Sequence, residues 1–486
     1  MKESLYLGKE NLTMLTDFYE ITMANGYLEK GLGDKICYFD MFFRKVPDKG
    51  GFAIMAGVEQ LVEYLQSLRF TGDDIEYLRS KKIFCEEFLT YLTNFEFTCD
   101  VWAVPEGTPI FPGEPIVTVR GPAIQAQFIE TMVLLCVNHQ SLIATKTNRI
   151  VRAAEGRAVL EFGSRRAQGF DGAVFGARAA YIGGCTGTAC TLSERRFGVP
   201  AVGTMAHSWV QLFDSEYEAF KAYAEVYPQN CLLLVDTYNV LKSGVPNAIK
   251  VFNEVIVPKG QRPAGIRIDS GDITYLSRRA RKMLDEAGFE DCKITASNSL
   301  DEYIIRDMLT QGAKVDSFGV GERLITSSSE PVFGGVYKLV AVENQKGTVI
   351  PKIKISENVT KITTPGFKAL WRLFDRETDK AIADVITLNH EQIDDSKPYT
   401  IFDPNHVWKR KTLENFRAVP LMGQIFDRGK CMYKSRALGA VKAYCASQVD
   451  TLWDEVLRFE NPHTYYVDLS QELWSMKNDM LSASVY

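Results

Sequence analysis

Short apolar runs alternate, through the middle of the chain, with longer segments in which apolar and polar positions recur at helical spacing. The short runs are rich in β-branched residues and are followed by glycine or small polar residues, as buried parallel strands are. Seven runs predict strands: AVLEF (158–162), YIGGCT (181–186), PAVGT (200–204), CLLLVD (231–236), AGIRID (264–269), CKITA (292–296) and VDSFGV (315–320).

The longer segments predict amphipathic helices. Clear examples are SEYEAFKAYAEVY (215–227), GDITYLSRRARKMLDEAG (271–288) and SLDEYIIRDMLTQG (299–312), of which the last two close with a glycine suited to a helix C-terminus. This succession of strands and helices is typical of a parallel α/β core. It favours a (β/α) barrel, with a doubly wound sheet as the alternative.

The two flanks of the chain have a different pattern. LTDFYEITMANGYLEKG (15–31) predicts a helix and KICYFDMFFRKVP (35–47) a strand, while residues 101–122 place short β runs between prolines and glycines. Beyond residue 340, KGTVIPKIKIS (346–356) and ITTPGFKALWRLFD (362–375) indicate further β-structure. We therefore expect β-rich flanks around an α/β middle.

Length and charge narrow the class of protein. A chain of 486 residues exceeds what one hydrophobic core usually organises, so we expect two or three domains, or one large barrel with additions. With 56 basic against 61 acidic residues, the net charge of −5 gives no reason to expect nucleic-acid binding.

The sequence also bears on the cellular compartment. No run approaches the roughly 18 uninterrupted apolar residues of a membrane span, and MKESLYLGKENL lacks the pattern of a secretory signal. Ten cysteines without any C-x-x-C motif are better explained as buried reduced thiols than as disulfides or a zinc site. We expect a soluble, cytoplasmic protein.

The candidate chemistry lies at the ends of the predicted strands, because ligands of parallel α/β sheets bind beyond the carboxyl ends of the strands. Arginine forks and glycine-rich turns suit phosphate oxygens, and an aspartate in this position suits a sugar diol or Mg²⁺. Together they indicate a phosphorylated sugar as the ligand. The residues at these ends are Glu161, Arg165, Arg166, Thr186, Thr204, His207, Asp236, Arg267, Asp269, Ser297, Asn298, Gly319 and Gly321.

Each of these residues also has a purely structural interpretation. A lone histidine such as His207 is more often a satisfied structural group than a catalyst, and Arg165 could form an ion pair. Asp269 could belong to an ordinary helix N-terminus, and Tyr19 could pack in the core or at a subunit contact. Their joint occurrence at successive strand ends is what favours a functional site.

Six motifs, in their order and spacing, resemble the nicotinate phosphoribosyltransferase family. They are LTDFYEITMANGY, EFGSRRAQGFDGA, GCTGTACTLSERRFGVPAVGTMAHSWVQ, RIDSGD, TASNSLDE, and GVG followed by GGVYKLVAV. The resemblance covers most of residues 12–345, and the stretch 161–211 is its most specific part.

The resemblance implies an incomplete or atypical (β/α) barrel joined to an α+β, β-rich domain that is built from N-terminal and returning C-terminal segments. The expected domains are a β-rich domain over 1–135 with a returning segment at about 346–420, a barrel over 136–345, and a C-terminal region over 346–486. The pattern alone assigns no role to residues 350–486.

The resemblance also implies the activity. Members of the family join nicotinate to phosphoribosyl pyrophosphate, giving nicotinate mononucleotide and pyrophosphate in the first step of NAD salvage from nicotinate. They couple this transfer to ATP hydrolysis through a phosphohistidine. ATP as co-substrate, Mg²⁺, and a homodimer with shared active sites are implied, with small molecules as the only other partners and neither nucleic acid nor membrane.

The family's site residues carry over onto matching positions of this chain. The resemblance implies His207 as the phosphohistidine, Arg165 and Asp269 as the other catalytic residues, and no residue as a dedicated metal ligand. The remaining roles are nicotinate binding by Tyr19, Thr204 and Arg267, and phosphoribosyl pyrophosphate binding by Arg165, Asp269, Ser297, Asn298, Gly319, Gly321 and Glu322.

One position departs from the family pattern. Where the family resemblance leads us to expect threonine or serine after GVG, this chain has Glu322 followed by Arg323. Because a carboxylate repels phosphate, we expect Glu322 to turn away while backbone amides and Arg323 take the contact.

Two alternative functions stay open at this point. One is a nicotinamide phosphoribosyltransferase, because Arg267 does not separate the two pyridine substrates. The other is a phosphosugar-binding sensor without transferase activity.

Overall fold

The computed structural model describes residues 11–483, except for the side chain of Val359. The chain divides into two compact units. The residues up to Ser141 and those from Val332 onward form the first, called the flanking unit, and Leu142–Pro331 form the second, called the central unit. The domain boundaries expected after residues 135 and 345 stay predictions.

The elements follow one another along the chain in three stretches. The first contains α1 Phe18–Glu29, β1 Ile36–Phe43, β2 Ala53–Ile54, α2 Val58–Ser67, α3 Gly72–Ser80, α4 Glu86–Thr93, β3 Asp100–Ala103, β4 Pro109–Ile110, β5 Val117–Pro122, α5 Ala123–Phe128 and α6 Glu130–Ala153. The second contains β6 Ala158–Glu161, α7 Phe170–Gly183, β7 Gly187–Thr188, α8 Thr191–Phe197, α9 His207–Gln211, α10 Glu216–Val226, β8 Leu232–Leu234, α11 Val245–Val251, β9 Gly265–Ile268, α12 Ile273–Glu286, β10 Lys293–Ser297, α13 Glu302–Thr310, β11 Ser317–Val320 and α14 Glu322–Ile325. The third contains β12 Gly335–Glu343, β13 Val349–Pro351, β14 Lys368–Asp375, β15 Ala381–Leu388, β16 Tyr399–Phe402, β17 Arg410–Leu413, β18 Phe416–Pro420, β19 Gly423–Asp427, β20 Lys430–Cys431, α15 Leu438–Asp450, β21 Val467–Leu469 and α16 Gln471–Ala483.

The central unit is built on a six-stranded sheet in the order β7-β6-β11-β10-β9-β8, in which every strand pair is parallel. Five of the seven predicted strands are found in it, as β6, β8, β9, β10 and β11. The three predicted helices are α10, α12 and α13, each begun by a side-chain cap from Ser215, Asp272 or Asp301. The incomplete barrel expected from the sequence is confirmed.

Two strand predictions were wrong. YIGGCT does not form a strand, because α7 continues to Gly183 and β7 begins only at Gly187. A Cβ at Gly183 would lie 2.5 Å from the carbonyl oxygen of Ala144, so this glycine serves close helix packing. PAVGT contributes only an isolated parallel bridge, from Ala201 to Thr188.

The flanking unit joins both ends of the chain in one sheet. Its seven strands run in the order β13-β12-β1-β5-β3-β19-β20, so strands from after the central unit pair with β1 and β3 from before it. A second sheet, β18-β14-β15-β21, consists of C-terminal strands only. The expected β-rich domain made of N-terminal and returning C-terminal segments is confirmed.

The run Ala123–Ala153 is long and apolar enough, at 31 residues, to cross a membrane, and within residues 11–483 no other helix is. However, 67% of its most apolar window is buried inside the protein. Such burial is typical of the core helix of a soluble protein, so the run is weak evidence for a membrane span.

A buried ion pair joins β14 to β15 in the flanking unit. Arg372 and Asp384 are cross-strand partners with no exposed side-chain surface, and the guanidinium donates from Nε to Oδ1 at 2.8 Å and from Nη2 to Oδ2 at 2.6 Å. Tyr465 also donates to Asp384 Oδ1, at 3.0 Å. Burial and the carboxylate of Asp384 raise the pKa of Glu114 well above its ordinary value. The guanidinium of Arg372 therefore neutralises Asp384 and also opposes the rise in the pKa of Glu114.

We predict that Arg372→Met destabilises the flanking unit by about 3–5 kcal/mol, because it leaves a buried carboxylate without its counterion. The matched control is Arg79→Met, which removes an arginine from an exposed pair with Glu86 and is expected to cost at most about 1 kcal/mol. Urea-induced unfolding followed by tryptophan fluorescence measures both. Equal urea midpoints for the two variants would contradict the prediction.

Candidate active site in the central unit

Six of the residues predicted from the strand ends lie together at the carboxyl edge of the central sheet: Thr204, His207, Asp236, Arg267, Asp269 and Ser297. In this sheet β9 lies between β8 and β10, and β10 lies between β9 and β11. The parallel register places Arg267 beside Thr295 and Ser297 beside Gly319. Side chains from strands far apart in the sequence therefore reach one another here.

Arg267 is the hub of the site. Its guanidinium donates from Nε to Ser297 Oγ at 2.8 Å, from Nη1 to Thr204 Oγ1 at 3.3 Å, and from Nη2 to Asp269 Oδ1 at 2.9 Å. The Ser297 hydroxyl in turn donates to Asp269 Oδ1. The guanidinium carbon also lies 5.7 Å from the centre of the Phe162 ring. The guanidinium of Arg267 thus binds three other predicted residues at once and lies near an aromatic ring.

His207 begins the short helix α9, and its side chain is 42% exposed. Nδ1 lies 3.1 Å from Thr237 Oγ1, within hydrogen-bond distance. Nε2 faces two carboxylates, at 3.9 Å from Asp269 Oδ2 and 4.0 Å from Asp236 Oδ1. The imidazole therefore has one nitrogen held by the protein and the other open toward an acidic pair.

Asp236 is the buried member of this acidic pair. Its Oδ2 accepts hydrogen bonds from the Asp269 amide at 3.0 Å and the Ser270 hydroxyl at 2.6 Å. Its Oδ1 is buried and has no hydrogen-bond partner among the residues that the structure describes. Since an unpaired buried carboxylate oxygen is costly, this atom is suited to a cation that arrives with a substrate.

The cation would have to be shared with a substrate. The described part of the chain holds no group of three or more His, Cys, Asp or Glu side chains able to enclose a metal ion. Mg²⁺ typically takes only one or two protein carboxylates and completes its shell with phosphates and water, so Asp236 and Asp269 suffice for it.

Two turns follow β10 and β11. In the first, Asn298 and Ser299 have positive φ values of 104° and 42°. Just before the second, within β11, a Cβ at Gly319 would lie 2.5 Å from the Phe162 ring, so only glycine fits beneath that ring. Gly321 precedes α14, whose first residue, Glu322, is exposed.

Arg165 is exposed and lies in the 3₁₀ turn Ser164–Arg166 after β6. The buried Glu161 fixes the start of this turn, because its carboxylate accepts from the Gly163 amide and from Thr188 Oγ1. Burial raises the pKa of Glu161, and these two hydrogen bonds oppose the rise. Arg165 is therefore exposed to solvent on a turn whose start is held by the hydrogen bond from Gly163 to Glu161.

Tyr19 belongs to the flanking unit, on α1, and is 44% exposed. Burial and the neighbouring Glu130 carboxylate raise the pKa of its hydroxyl above the ordinary value, so it is a neutral donor. Its role toward nicotinate stays a prediction.

Two residues of the site were missed in the sequence. Thr237 follows the predicted strand CLLLVD by one residue, and a hydroxyl just beyond a strand end was the signal that could have found it. The sequence pattern identifies Phe162 only as the last residue of the predicted strand AVLEF. Asp236 was recognised as a strand-end residue, but the family resemblance assigned it no role.

The comparisons with known families and relatives agree along the chain. The family models that match are the N-terminal domain of nicotinate phosphoribosyltransferase over residues 14–138, the C-terminal domain of quinolinate phosphoribosyl transferase over 143–332, and the C-terminal domain of nicotinate phosphoribosyltransferase over 367–477. The chain is 43% identical over 470 residues to the nicotinate phosphoribosyltransferase of Bacillus subtilis, covering 96% of this chain and 95% of the relative. It is 34% identical over 529 residues to that of Dictyostelium discoideum, covering 97% and 88%.

A solved structure is similar as well. The crystal structure of human nicotinic acid phosphoribosyltransferase aligns with a TM-score of 0.83 at 28% identity, covering 96% of this chain and 100% of the human one.

Proposed function

Because the chain belongs to the nicotinate phosphoribosyltransferase family, we propose that it transfers the phosphoribosyl group of phosphoribosyl pyrophosphate to nicotinate, as the first step of NAD salvage from nicotinate. The observation that carries the proposal is the Arg267 fork, fixed beside Asp269, Ser297 and Thr204. A guanidinium so placed suits the nicotinate carboxylate, while the carboxylate and hydroxyls beside it suit a phosphorylated sugar.

The reaction breaks the bond between ribose C1 and pyrophosphate, so positive charge grows on the sugar and negative charge on the leaving group. Arg267 acts by orientation, since it holds nicotinate by its carboxylate near the Phe162 ring and turns the ring nitrogen toward C1. Asp269 accepts from the ribose hydroxyls. The exposed Arg165 binds the pyrophosphate. Because the negative charge of the leaving group rises in the transition state, Arg165 stabilises the transition state more than the bound substrate.

We further propose that Asp236 and Asp269 hold Mg²⁺ together with the substrate's phosphates. Asp236 Oδ1 supports this, because it is buried without a hydrogen-bond partner among the described residues. When bound, the ion supplies charge that offsets the crowding of carboxylates and phosphates.

His207 is proposed to carry the phosphate of ATP. Thr237 occupies Nδ1, so the tautomer with its proton on Nδ1 leaves the lone pair of Nε2 free. Nε2 attacks the terminal phosphorus of ATP, the bond from that phosphorus to the bridging oxygen breaks, and ADP leaves. Water later cleaves the phosphohistidine to histidine and phosphate. The dianionic phosphate adds charge that can organise the site for phosphoribosyl pyrophosphate.

The cytoplasmic location, the homodimer with shared sites, and the contact of Tyr19 with nicotinate stay predictions that extend this proposal.

The proposed activity is tested by measuring pyrophosphate release with nicotinate, nicotinamide and quinolinate, each with and without ATP. We expect release with nicotinate, raised by ATP, and little with the other two. Preference for nicotinamide would favour the alternative enzyme. Binding of phosphoribosyl pyrophosphate without release in any mixture would indicate a sensor.

For His207, we predict that γ-labelled ATP leaves an acid-labile, alkali-stable label on the protein and that His207→Ala does not take it up. His406→Ala is the control, since His406 is an exposed histidine paired with Asp403 in the flanking unit, and this variant should keep the full label. Equal labelling of all three proteins would show that His207 is not the phosphate carrier.

We predict that Arg267→Lys lowers kcat/KM for nicotinate about 10- to 100-fold, although the charge is kept. Lysine cannot reproduce the planar fork, and a hydrogen bond to a charged group contributes about 1.5–3 kcal/mol. Steady-state kinetics with varied nicotinate measure the effect, with Arg278→Lys, at an exposed position of α12, as the control. A value near wild type would remove Arg267 from nicotinate recognition.

A further inference from the structure

The departure from the family pattern at Glu322 and Arg323 lies directly after the second of two neighbouring turns. The first turn runs from Ser297, the last residue of β10, to Asp301 before α13, and the second is made at Gly321, between β11 and α14. The family resemblance implies that residues at both turns bind phosphoribosyl pyrophosphate. The following inference rests on the proposed function and assigns both turns to the 5-phosphate of that substrate.

The first turn holds a strained backbone. Asn298 and Ser299 both have φ in the left-handed half of the map, at 104° and 42°, and neither is glycine. Such a backbone conformation is strained in a residue other than glycine and persists only where its surroundings hold it. The two ends of the turn therefore have to be anchored.

The start of the turn is anchored by Ser297, which is buried and bonded to Arg267 and Asp269. The end is anchored by Asp301, whose side chain is 14% exposed. Its Oδ1 accepts from the amides of Tyr303 at 3.0 Å and Ile304 at 2.9 Å and so caps α13. Its Oδ2 is taken by Nη1 of Arg323. One carboxylate thus binds its own helix and the neighbouring turn.

Arg323 has the complementary position, as the second residue of α14, directly after Gly321 and Glu322. Nη1 of its guanidinium donates to Asp301. The pair ties the end of the strained turn to the start of α14. We propose that Arg323 is a positioning residue, which acts through Asp301 to hold the two turns at the spacing that the 5-phosphate of the sugar substrate requires.

A second set of contacts, around the buried Glu302, should keep the protein folded when the pair between Arg323 and Asp301 is removed. Glu302, the residue after Asp301, is buried and pairs with Lys146 at 2.8 Å and Arg149 at 2.9 Å. Lys146 also donates to Ser329, beyond α14, at 2.8 Å. Because these contacts hold the start of α13 and the segment after α14, loss of the Arg323 pair should loosen the turns while the fold persists.

The test is a double-mutant cycle of Arg323→Met and Asp301→Asn. Asparagine is as good an N-cap as aspartate, so Asp301→Asn keeps the cap of α13 and removes the charge that Arg323 binds. We expect each single variant to raise KM for phosphoribosyl pyrophosphate about five- to tenfold, with kcat and KM for nicotinate within about twofold of wild type. The double variant should be no worse than either single one, and Arg323→Lys should recover part of the loss.

The outcomes separate positioning from direct contact. If the effects of the two substitutions multiply, Arg323 contacts the phosphate itself and the proposal is overturned. Unchanged KM in both single variants overturns it as well. Arg262→Met, which breaks the exposed pair with Asp291 in the same unit, is the matched control and should leave all constants unchanged.

A binding measurement keeps this proposal distinct from the proposed function. Titration calorimetry measures the binding of two probes, ribose 5-phosphate and inorganic pyrophosphate. Arg323→Met and Asp301→Asn should each raise the Kd for ribose 5-phosphate by about the same factor as they raise KM. The Kd for inorganic pyrophosphate should stay at the wild-type value. If the wild type binds both probes and the variants differ as stated, the positioning role holds even where nicotinate is not the acceptor. Equal weakening of both probes would mean a general disturbance and would overturn the proposal.

Discussion

The fork of Arg267 is the interaction on which the rest of the site depends. Its donors reach Thr204, Ser297 and Asp269, and two of these lie on segments that are at least 30 residues away along the chain. A guanidinium has its donors fixed in a plane, so three partners at once determine its orientation. Whatever carboxylate it binds is oriented with it, and for a reaction between two bound molecules orientation is a large part of catalysis.

Two carboxylates lie close to each other beside the guanidinium of Arg267. Asp236 and Asp269 both face Nε2 of His207, and one oxygen of Asp236 is buried without a partner among the described residues. Such an arrangement costs free energy, and a cation bound between the carboxylates would lower that cost. Strain in the Asn298–Ser299 turn adds to the cost. Both features are expected where binding energy is later recovered from a charged substrate.

The flanking unit depends on a different device, which is pairing between the two ends of the chain. The β1 strand pairs with β12 and β3 pairs with β19, so neither end completes the sheet alone. Arg372 adds a contact across 263 positions, from Nη2 to the carbonyl oxygen of Pro109 at 2.8 Å. The flanking unit therefore needs chain segments from before and after the central unit in order to bury the pair of Arg372 and Asp384.

The local pattern of the sequence determined the elements whose signal is local: five strands of the central sheet, the capped helices α10, α12 and α13, and the strand-end position of every proposed ligand of the sugar phosphate. Periodicity and caps are properties of neighbouring residues, and parallel strands bring their ends together wherever they lie. It misassigned YIGGCT, because glycines that permit close helix packing look the same in sequence as glycines that follow a strand. Only the tertiary structure decided that Thr237 holds His207, that one oxygen of Asp236 has no hydrogen-bond partner among residues 11–483, and that Arg323 binds Asp301. Each of these depends on distances of a few ångströms between residues that are distant along the chain, and residue type and spacing do not encode such distances.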